Sequence, residues 1–183
     1  MKAANARVLI TGAAGGIGTA VAETLLKTGA AVMVVGRSAS RLGELVHSLA
    51  QHTRASDARV ACEVADLTHA DDLERLALRA AAWGANVVVH NAGLPAFGRL
   101  QDETPAQVLA LMQTNLIAPM LLTRGLLPHL LALPAAQVIC VGSALGAIGL
   151  PGYSVYSASK FGLRGFAQAL RRELAETPVK VQY

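Results

Sequence analysis

Short apolar runs alternate with amphipathic stretches along nearly the whole chain. Arg7 to Thr11 (RVLIT), Ala31 to Val35 (AVMVV), Arg59 to Val64 (RVACEV), Ala85 to His90 (ANVVVH) and Val138 to Gly142 (VICVG) are brief and rich in valine. That is the pattern of strands buried on both faces. Between them, apolar residues recur three or four positions apart, as on one face of a helix. Val21, Leu25 and Leu26 mark a first helix that stops at Gly29. A second spans Arg41 to His52 with Ser38 or Ser40 as its cap, and a third begins near His69 and runs through Leu73, Leu76 and Leu78. Thr104-Pro105 opens a longer helical region that continues, with interruptions, to about Leu133. Pro119 within it should disturb the helix just upstream and free carbonyls near Asn115. A last helix carries Tyr156 and Lys160, continues through Phe161, Leu163, Phe166, Leu170 and Leu174, and ends before Pro178. Val179 to Tyr183 then begins another strand.

Strand and helix alternate five times with no linker, internal repeat or low-complexity segment beyond alanine richness. The pattern predicts one domain over residues 1–183, an α/β fold built on a doubly wound parallel sheet with helices on both faces, three layers in all. Ligands of such sheets bind at the carboxyl ends of the strands. Gly12, Arg37, Asp66, Asn91 and Ser143 each follow a strand, so all five gather on that edge.

The first strand runs directly into Gly12-Ala13-Ala14-Gly15-Gly16-Ile17-Gly18 and then a helix. Strand, glycine turn and helix together form a phosphate cradle, in which the backbone approaches a pyrophosphate and the free N–H groups of the helix start point at it. An acidic residue closing the second strand would hold adenosine ribose hydroxyls, but Gly36-Arg37-Ser38 stands there instead. The Arg37 fork and the Ser38 hydroxyl suit a 2′-phosphate, which favours NADP(H) over NAD(H). Asp66-Leu67 offers a carboxylate to an adenine amino group, or else a cap to the next helix. Asn91-Ala92-Gly93 places small residues where a ligand needs close approach.

The segment from Ser143 to Lys160 carries the chemistry. Tyr156 and Lys160 are four apart and therefore share a helix face. Tyrosine has a reference pKa near 10, and a neighbouring ammonium favours its ionised form, making it a usable acid/base near neutral pH. Ser143 can add a hydroxyl hydrogen bond to the same small volume. A lone Tyr-x-x-x-Lys would be an ordinary surface helix; here it comes with a nucleotide cradle.

Composition narrows the class. Of 183 residues, 53% are hydrophobic and 15% charged, which suits a packed globular protein, and 4% aromatic, which makes the core aliphatic. The net charge of +4 admits an anionic ligand. The basic residues are dispersed and not interleaved with aromatics, so nucleic acid is not the expected partner. Cys62 and Cys140 fall in different strands and read as buried reduced thiols. No uninterrupted stretch reads as a membrane span, and glycines break the signal-like start that follows Lys2 and Arg7, so a cytoplasmic location is expected. His47, His52, His69, His90 and His129 lack metal-ligand spacing and read as surface or packing residues.

With these motifs in order, the chain resembles the short-chain dehydrogenase/reductase family in its common non-extended form. The matching residues are Thr11-Gly12-x-x-x-Gly16-Ile17-Gly18, Asp66, Asn91-Ala92-Gly93, Asn115, Ser143, Tyr156 and Lys160. The resemblance implies a Rossmann-type fold and hydride transfer between a nicotinamide cofactor and a carbonyl or secondary alcohol. It implies that Tyr156 is the proton donor or acceptor, that Ser143 positions the substrate oxygen, and that Lys160 lowers the tyrosine pKa and holds the nicotinamide ribose. Asn115 would support a water in a proton relay that reaches Lys160. Gly12, Ala14, Gly15, Gly16, Ile17, Gly18, Arg37, Ser38, Asp66, Leu67, Asn91, Ala92, Gly93, Tyr156 and Lys160 would meet the cofactor.

Two departures from the pattern stand out. His90 replaces an asparagine often found before Asn91-Ala92-Gly93. The family also continues past this point with the rest of the sixth strand, a Pro-Gly turn, a substrate-covering segment and a seventh strand. The expectation is thus an NADP(H)-dependent oxidoreductase acting on a small carbonyl or alcohol, truncated within the sixth strand. The alternative is an NADP-binding module with little or no turnover; an epimerase or dehydratase fits less well, because its glycine loop is usually spaced differently. Leu121, Leu122, Leu126, Leu127, Phe161, Phe166 and Leu170 are expected to exceed what one sheet face can cover and to form a homodimer or higher homo-oligomer through the two long helices.

Overall fold

The structure, a computed structural model, describes residues 3–53 and 59–183; the side chain of His52 and all of Lys2 lie outside the described residues. Strands β1 (Arg7–Thr11), β2 (Ala31–Gly36), β3 (Val60–Val64), β4 (Val87–His90), β5 (Ala136–Cys140) and β6 (Val179–Gln182) form one sheet in the order β3-β2-β1-β4-β5-β6. Every neighbouring pair is parallel. The chain steps outward from β1 to β3, returns to lay β4 beside β1, and steps outward the other way. The direction reverses between β1 and β4, and a crevice opens there at the carboxyl ends.

The apolar runs become strands because both of their faces are covered. Leu9, Met33, Val35, Val88 and Val138 face helices α3 (Ala70–Trp83), α5 (Ala118–Leu131) and α6 (Ser154–Glu173). Their neighbours Val8, Ile10, Val32, Val34, Val87 and Val89 face α1 (Gly16–Lys27) and α2 (Ala39–Thr53). Strand order decides which residues escape this burial. The β3 strand lies at the edge, and Cys62 is exposed there, not buried as its apolar run suggests. Leu78 is 68% exposed, because the inward stripe of α3 is Leu73, Leu76, Ala77 and Ala80.

The long helical region begins where expected, at a capping box: Gln107 N–H donates to Thr104 Oγ1 at 3.3 Å and Thr104 N–H donates to Gln107 Oε1 at 2.8 Å. It is disturbed just upstream of Pro119, around Asn115, as expected. Helix α4 (Pro105–Met112) passes through a π turn at Gln113–Ile117 into α5. Pro119 sits in the first turn of α5, where its missing N–H costs nothing because the wider π turn precedes it. The continuous run Pro105–Leu131, 27 residues, is long and apolar enough to cross a membrane by length and composition alone. Its Leu111, Asn115, Leu122, Leu126 and Leu130 are nonetheless buried in this fold.

That packing corrects the expected apolar excess. Leu122, Leu126 and Leu170 belong to the core, whereas Leu121 (38%) and Phe161 (43%) remain exposed. Leu127 and Phe166 are partly buried against the same core.

Candidate active site

The β1–α1 loop is shaped by side chains it lacks. Gly12 has φ +64°, and a Cβ there would stand 2.7 Å from the Cα of Ala92. Gly18 is buried under the loop, where a Cβ would lie 2.6 Å from the carbonyl oxygen of Gly12. It packs the loop and does not line the crevice. Gly15 begins α1 without a side-chain cap, so the first amides of the helix, on Gly16, Ile17 and Gly18, have no intrahelical acceptor. A Cβ on Gly16 would meet nothing within 4 Å, which leaves this backbone open to a ligand.

Opposite the loop, β4 ends in Asn91-Ala92-Gly93. Asn91 Nδ2 donates to the carbonyls of Thr11 (3.1 Å) and Gly12 (3.0 Å). Thr11 Oγ1 accepts from the N–H groups of Asn91 and Ala92, both at 3.1 Å. Asn91 thus stitches β1 to β4 at the point where the strand order reverses. Beneath it, buried His90 shares a hydrogen bond from Nε2 to Thr123 Oγ1 at 2.8 Å, and burial depresses its pKa to about 4.

The crevice has a volume of about 740 Å³. Gly12, Ala14, Gly15, Gly16, Ile17, Arg37, Ser38, Asp66, Leu67, Asn91, Ala92 and Gly93 all line it. Ser38 also caps α2, accepting from Arg41 N–H at 3.3 Å. Arg41 lines the crevice too, although the sequence reading passed over it. The available signal was a second arginine on the far side of a cap from Arg37. Asp66 is not the cap of α3; its Oδ1 accepts from Thr68 N–H (2.9 Å) and Thr68 Oγ1 (2.7 Å). The Thr68 backbone bond, helped by its hydroxyl and by the charges of His69 and Arg37, holds this carboxyl below its ordinary pKa despite burial.

Past Gly93 the construction changes. Lys160 is buried, its Nζ donates to the Val141 carbonyl at 3.1 Å, and it lies 5.9 Å from the Tyr156 ring centroid. Burial pushes the Lys160 pKa down, and burial raises the neighbouring Cys140 thiol to about 11. Asn115 sits fully buried in the π turn. Its Oδ1 accepts from Leu94 N–H at 2.7 Å, while its Nδ2 donates to Leu94 O (3.0 Å) and Ser159 Oγ (3.1 Å). Ser159 Oγ in turn donates to the Tyr156 carbonyl at 2.7 Å. Ser159 is a second residue the sequence reading missed; its position directly before Lys160 was the signal. A Cβ on Gly93 would be 3.4 Å from Asn115 Oδ1 and 3.7 Å from Lys160 Nζ. Gly93 is therefore the thin partition between the crevice and the lysine.

Ser143 heads a short 3-10 turn, Ala144–Gly146, and its Oγ accepts from Leu145 N–H at 3.1 Å. That bond leaves the hydroxyl proton free to donate. Gly146 lies against α6, where a Cβ would stand 3.0 Å from the Lys160 carbonyl oxygen. Among the described residues no group of three or more His, Cys, Asp or Glu is placed to hold a metal ion.

Residues 6–183 match the sequence profile of the short chain dehydrogenase family. The chain is 32% identical over 176 residues to ketoacyl reductase HetN of Nostoc sp. (strain PCC 7120), an alignment covering 95% of this chain and 60% of HetN. It is 35% identical over 186 residues to the uncharacterized oxidoreductase DltE of Bacillus subtilis (strain 168), covering 99% of this chain and 70% of DltE. A solved metagenomic short-chain oxidoreductase in complex with NADP superposes with a TM-score of 0.87 at 32% identity, over 95% of this chain and 78% of that one.

Proposed function

The chain belongs to the short chain dehydrogenase family, and from that membership we propose that it is an oxidoreductase using NADP(H) to interconvert a carbonyl compound and the corresponding secondary alcohol. One observation carries the proposal. A crevice with an open glycine backbone and two arginines meets, at Gly93, a buried Lys160 close to the Tyr156 ring: a Cβ on Gly93 would stand 3.7 Å from Lys160 Nζ.

The residues present fit a phosphorylated dinucleotide. The unpartnered amides of Gly16 and Ile17, which line the crevice, receive the pyrophosphate. Arg37, Ser38 and Arg41 take the 2′-phosphate, Asp66 and Leu67 meet the adenine, and Lys160 holds the nicotinamide ribose. When bound, the nicotinamide supplies or accepts the hydride. In reduction Tyr156 gives its phenolic proton to the carbonyl oxygen, and in oxidation it takes the hydroxyl proton back. Ser143 donates its free hydroxyl hydrogen to the same oxygen, and the Lys160 ammonium stabilises the charge left on the phenol oxygen. Both donor hydrogens of the Asn115 side chain are taken by Leu94 and Ser159, so we assign its part in a proton relay to a backbone carbonyl of the π turn.

Titrating the protein with NADPH and NADH, and assaying a panel of carbonyl compounds alongside, tests this reading. Tighter binding of NADPH with turnover supports it. Binding without turnover of any carbonyl returns the non-catalytic module, and failure to bind either nucleotide overturns both. For assembly we infer a dimer through α5 and α6, carried by exposed Met120, Leu121 and Phe161. A monomer in sedimentation at micromolar concentration would refute it.

A further inference from the structure

The two loops flanking Tyr156 carry a feature that the proposed reaction does not use. Residues 92–98 (AGLPAFG) and 143–155 (SALGAIGLPGYSV) contain no charged side chain. The loops are fastened to each other, with Gly98 N–H donating to the Gly152 carbonyl at 2.9 Å. Gly152 has φ +80°, and a Cβ there would lie 2.6 Å from the Phe97 ring, so Phe97 occupies the space that a side chain at 152 would need. The Phe97 ring centroid is 5.0 Å from that of Tyr153, which lies 6.4 Å, edge-on, from the Tyr156 ring. Three rings therefore run in file from the surface to the phenol.

The file ends in solvent. Phe97 is 75% exposed, and on the opposite loop Ile148 and Leu150 are 60% and 50% exposed. Large apolar side chains held in place yet left wet contribute nothing to the core, and such patches mark binding surfaces. Glu103 lies beside Gly98, where a Cβ would stand 3.4 Å from its Oε1, and Arg99 is exposed. An anionic substrate group laid on Phe97 and Tyr153 would shed water against two loops that carry no cationic side chain to receive it.

We infer that Phe97 and Tyr153 form an aromatic wall that determines specificity, selecting neutral carbonyl compounds with an aryl or extended hydrocarbon body over carboxylate-bearing ones. The inference rests on the reading of Tyr156 as the proton donor. A substrate ring stacks on the open face of Phe97 in offset or edge-on contact, with its carbonyl directed along the file toward Tyr156.

Acetophenone, butanone and pyruvate share a methyl ketone and differ in the attached group: phenyl, ethyl or carboxylate. The wall predicts that kcat/KM with NADPH favours acetophenone over pyruvate by about 100-fold or more, since the losing group is a desolvated charge. Phe97→Ala should cut the acetophenone-to-butanone ratio about tenfold, on the scale of one aromatic contact with its buried area. Phe97→Trp should restore it. Because Phe97 is exposed, both variants should fold, and their NADPH affinities provide the check.

A second readout does not need turnover. Ring signals of 1-phenylethanol should be perturbed in ligand-observed NMR by the NADP⁺-loaded protein and not by its Phe97→Ala form. If the alcohol binds in a Phe97-dependent way but no ketone is reduced, the proposed reaction fails and the wall stands. If ketones are reduced with the same ratio in Phe97→Ala, or pyruvate matches acetophenone, the wall is overturned and the reaction stands. If neither binding nor reduction occurs, both are overturned.

Discussion

The nucleotide crevice and the Tyr156–Lys160 end share one sheet edge but are built on opposite plans. The crevice is shaped by absence: Gly12 against Ala92, Gly18 beneath Gly12, and Gly16 open to approach. Its important donors are backbone amides, and its side-chain polar groups largely hold the loop itself, as Asn91 and Thr11 do. Past Gly93 the volume is filled. Asn115, Ser159 and Lys160 are buried, and each has its hydrogen bonds within the protein. The difference teaches where each half is vulnerable. An added atom should ruin the crevice, whereas a removed atom should silence the other end without disturbing the fold.

The largest expected effect tests the second half of that statement. Tyr156→Phe removes one oxygen from a half-buried ring that keeps its edge-on contact with Tyr153. Carbonyl reduction should fall about 10²- to 10⁴-fold, the usual contribution of a positioned acid. NADPH affinity and Tm should stay close to those of the unaltered protein. Near-normal kcat in single-turnover assays would mean that the proton comes from another group.

The next effect strikes both regions at once, because His90 underlies the stitch between them. Its folded pKa of about 4 lies below the ordinary 6.5, with burial as the cause. Between those values the unfolded chain binds more protons, so stability rises with pH. The contribution is complete above pH 6.5 and is lost as pH falls toward 4, a change of about 3 kcal/mol. Urea midpoints at pH 7 and pH 4.5 should show this loss, and His90→Asn should flatten it. An unaltered acid slope in that variant would assign the titration elsewhere; Asp66 and Asp72, held below their ordinary values, act at lower pH.

A pair of glycine changes sharpens the claim about the crevice. Gly18→Ala places a methyl 2.6 Å from a backbone oxygen, and overpacking of this kind costs about 1–3 kcal/mol. Thermal stability and binding of both nucleotides should drop together. Gly16→Ala meets no neighbour within 4 Å, so it should leave Tm unchanged while its methyl obstructs the pyrophosphate. Equal Tm losses in the two variants would contradict the difference in packing.

Much of this was legible in the sequence, for identifiable reasons. Valine-rich runs bounded by Gly12, Gly36-Arg37 and Asn91 can only be short buried strands, and their carboxyl ends define the edge where the site forms. The facing of the later helices was not legible. A π turn adds a residue to the helical repeat and rotates everything downstream, so the inward face of α5 cannot be phased from α4. That is why Leu122 and Leu126 turned inward while Leu121 did not. Cys62 was misjudged because the edge position of β3 follows from strand order, which a local pattern does not contain. Ser159 meets Asn115, distant in sequence, and Arg41 reaches the crevice only through the fold, and their residue types alone are unremarkable on helices.

The smallest expected effect separates the 2′-phosphate end from the rest of the crevice. Arg37 and Arg41 are exposed and line the same end, with Ser38, which also caps α2, between them. A charged hydrogen bond contributes about 1.5–3 kcal/mol, and exposure to solvent brings each arginine toward the lower end. Arg37→Ala should therefore weaken NADPH about tenfold and leave NADH unchanged, which no glycine substitution in the loop can do. Arg41→Ala should act in the same direction. The double variant should lose less than the sum, because two guanidiniums gripping one phosphate are not independent. Added salt should narrow the gap between NADPH and NADH in the unaltered protein and have little influence in the double variant. Equal affinities for the two nucleotides before any substitution would remove the 2′-phosphate from this end and leave both arginines as solvated surface.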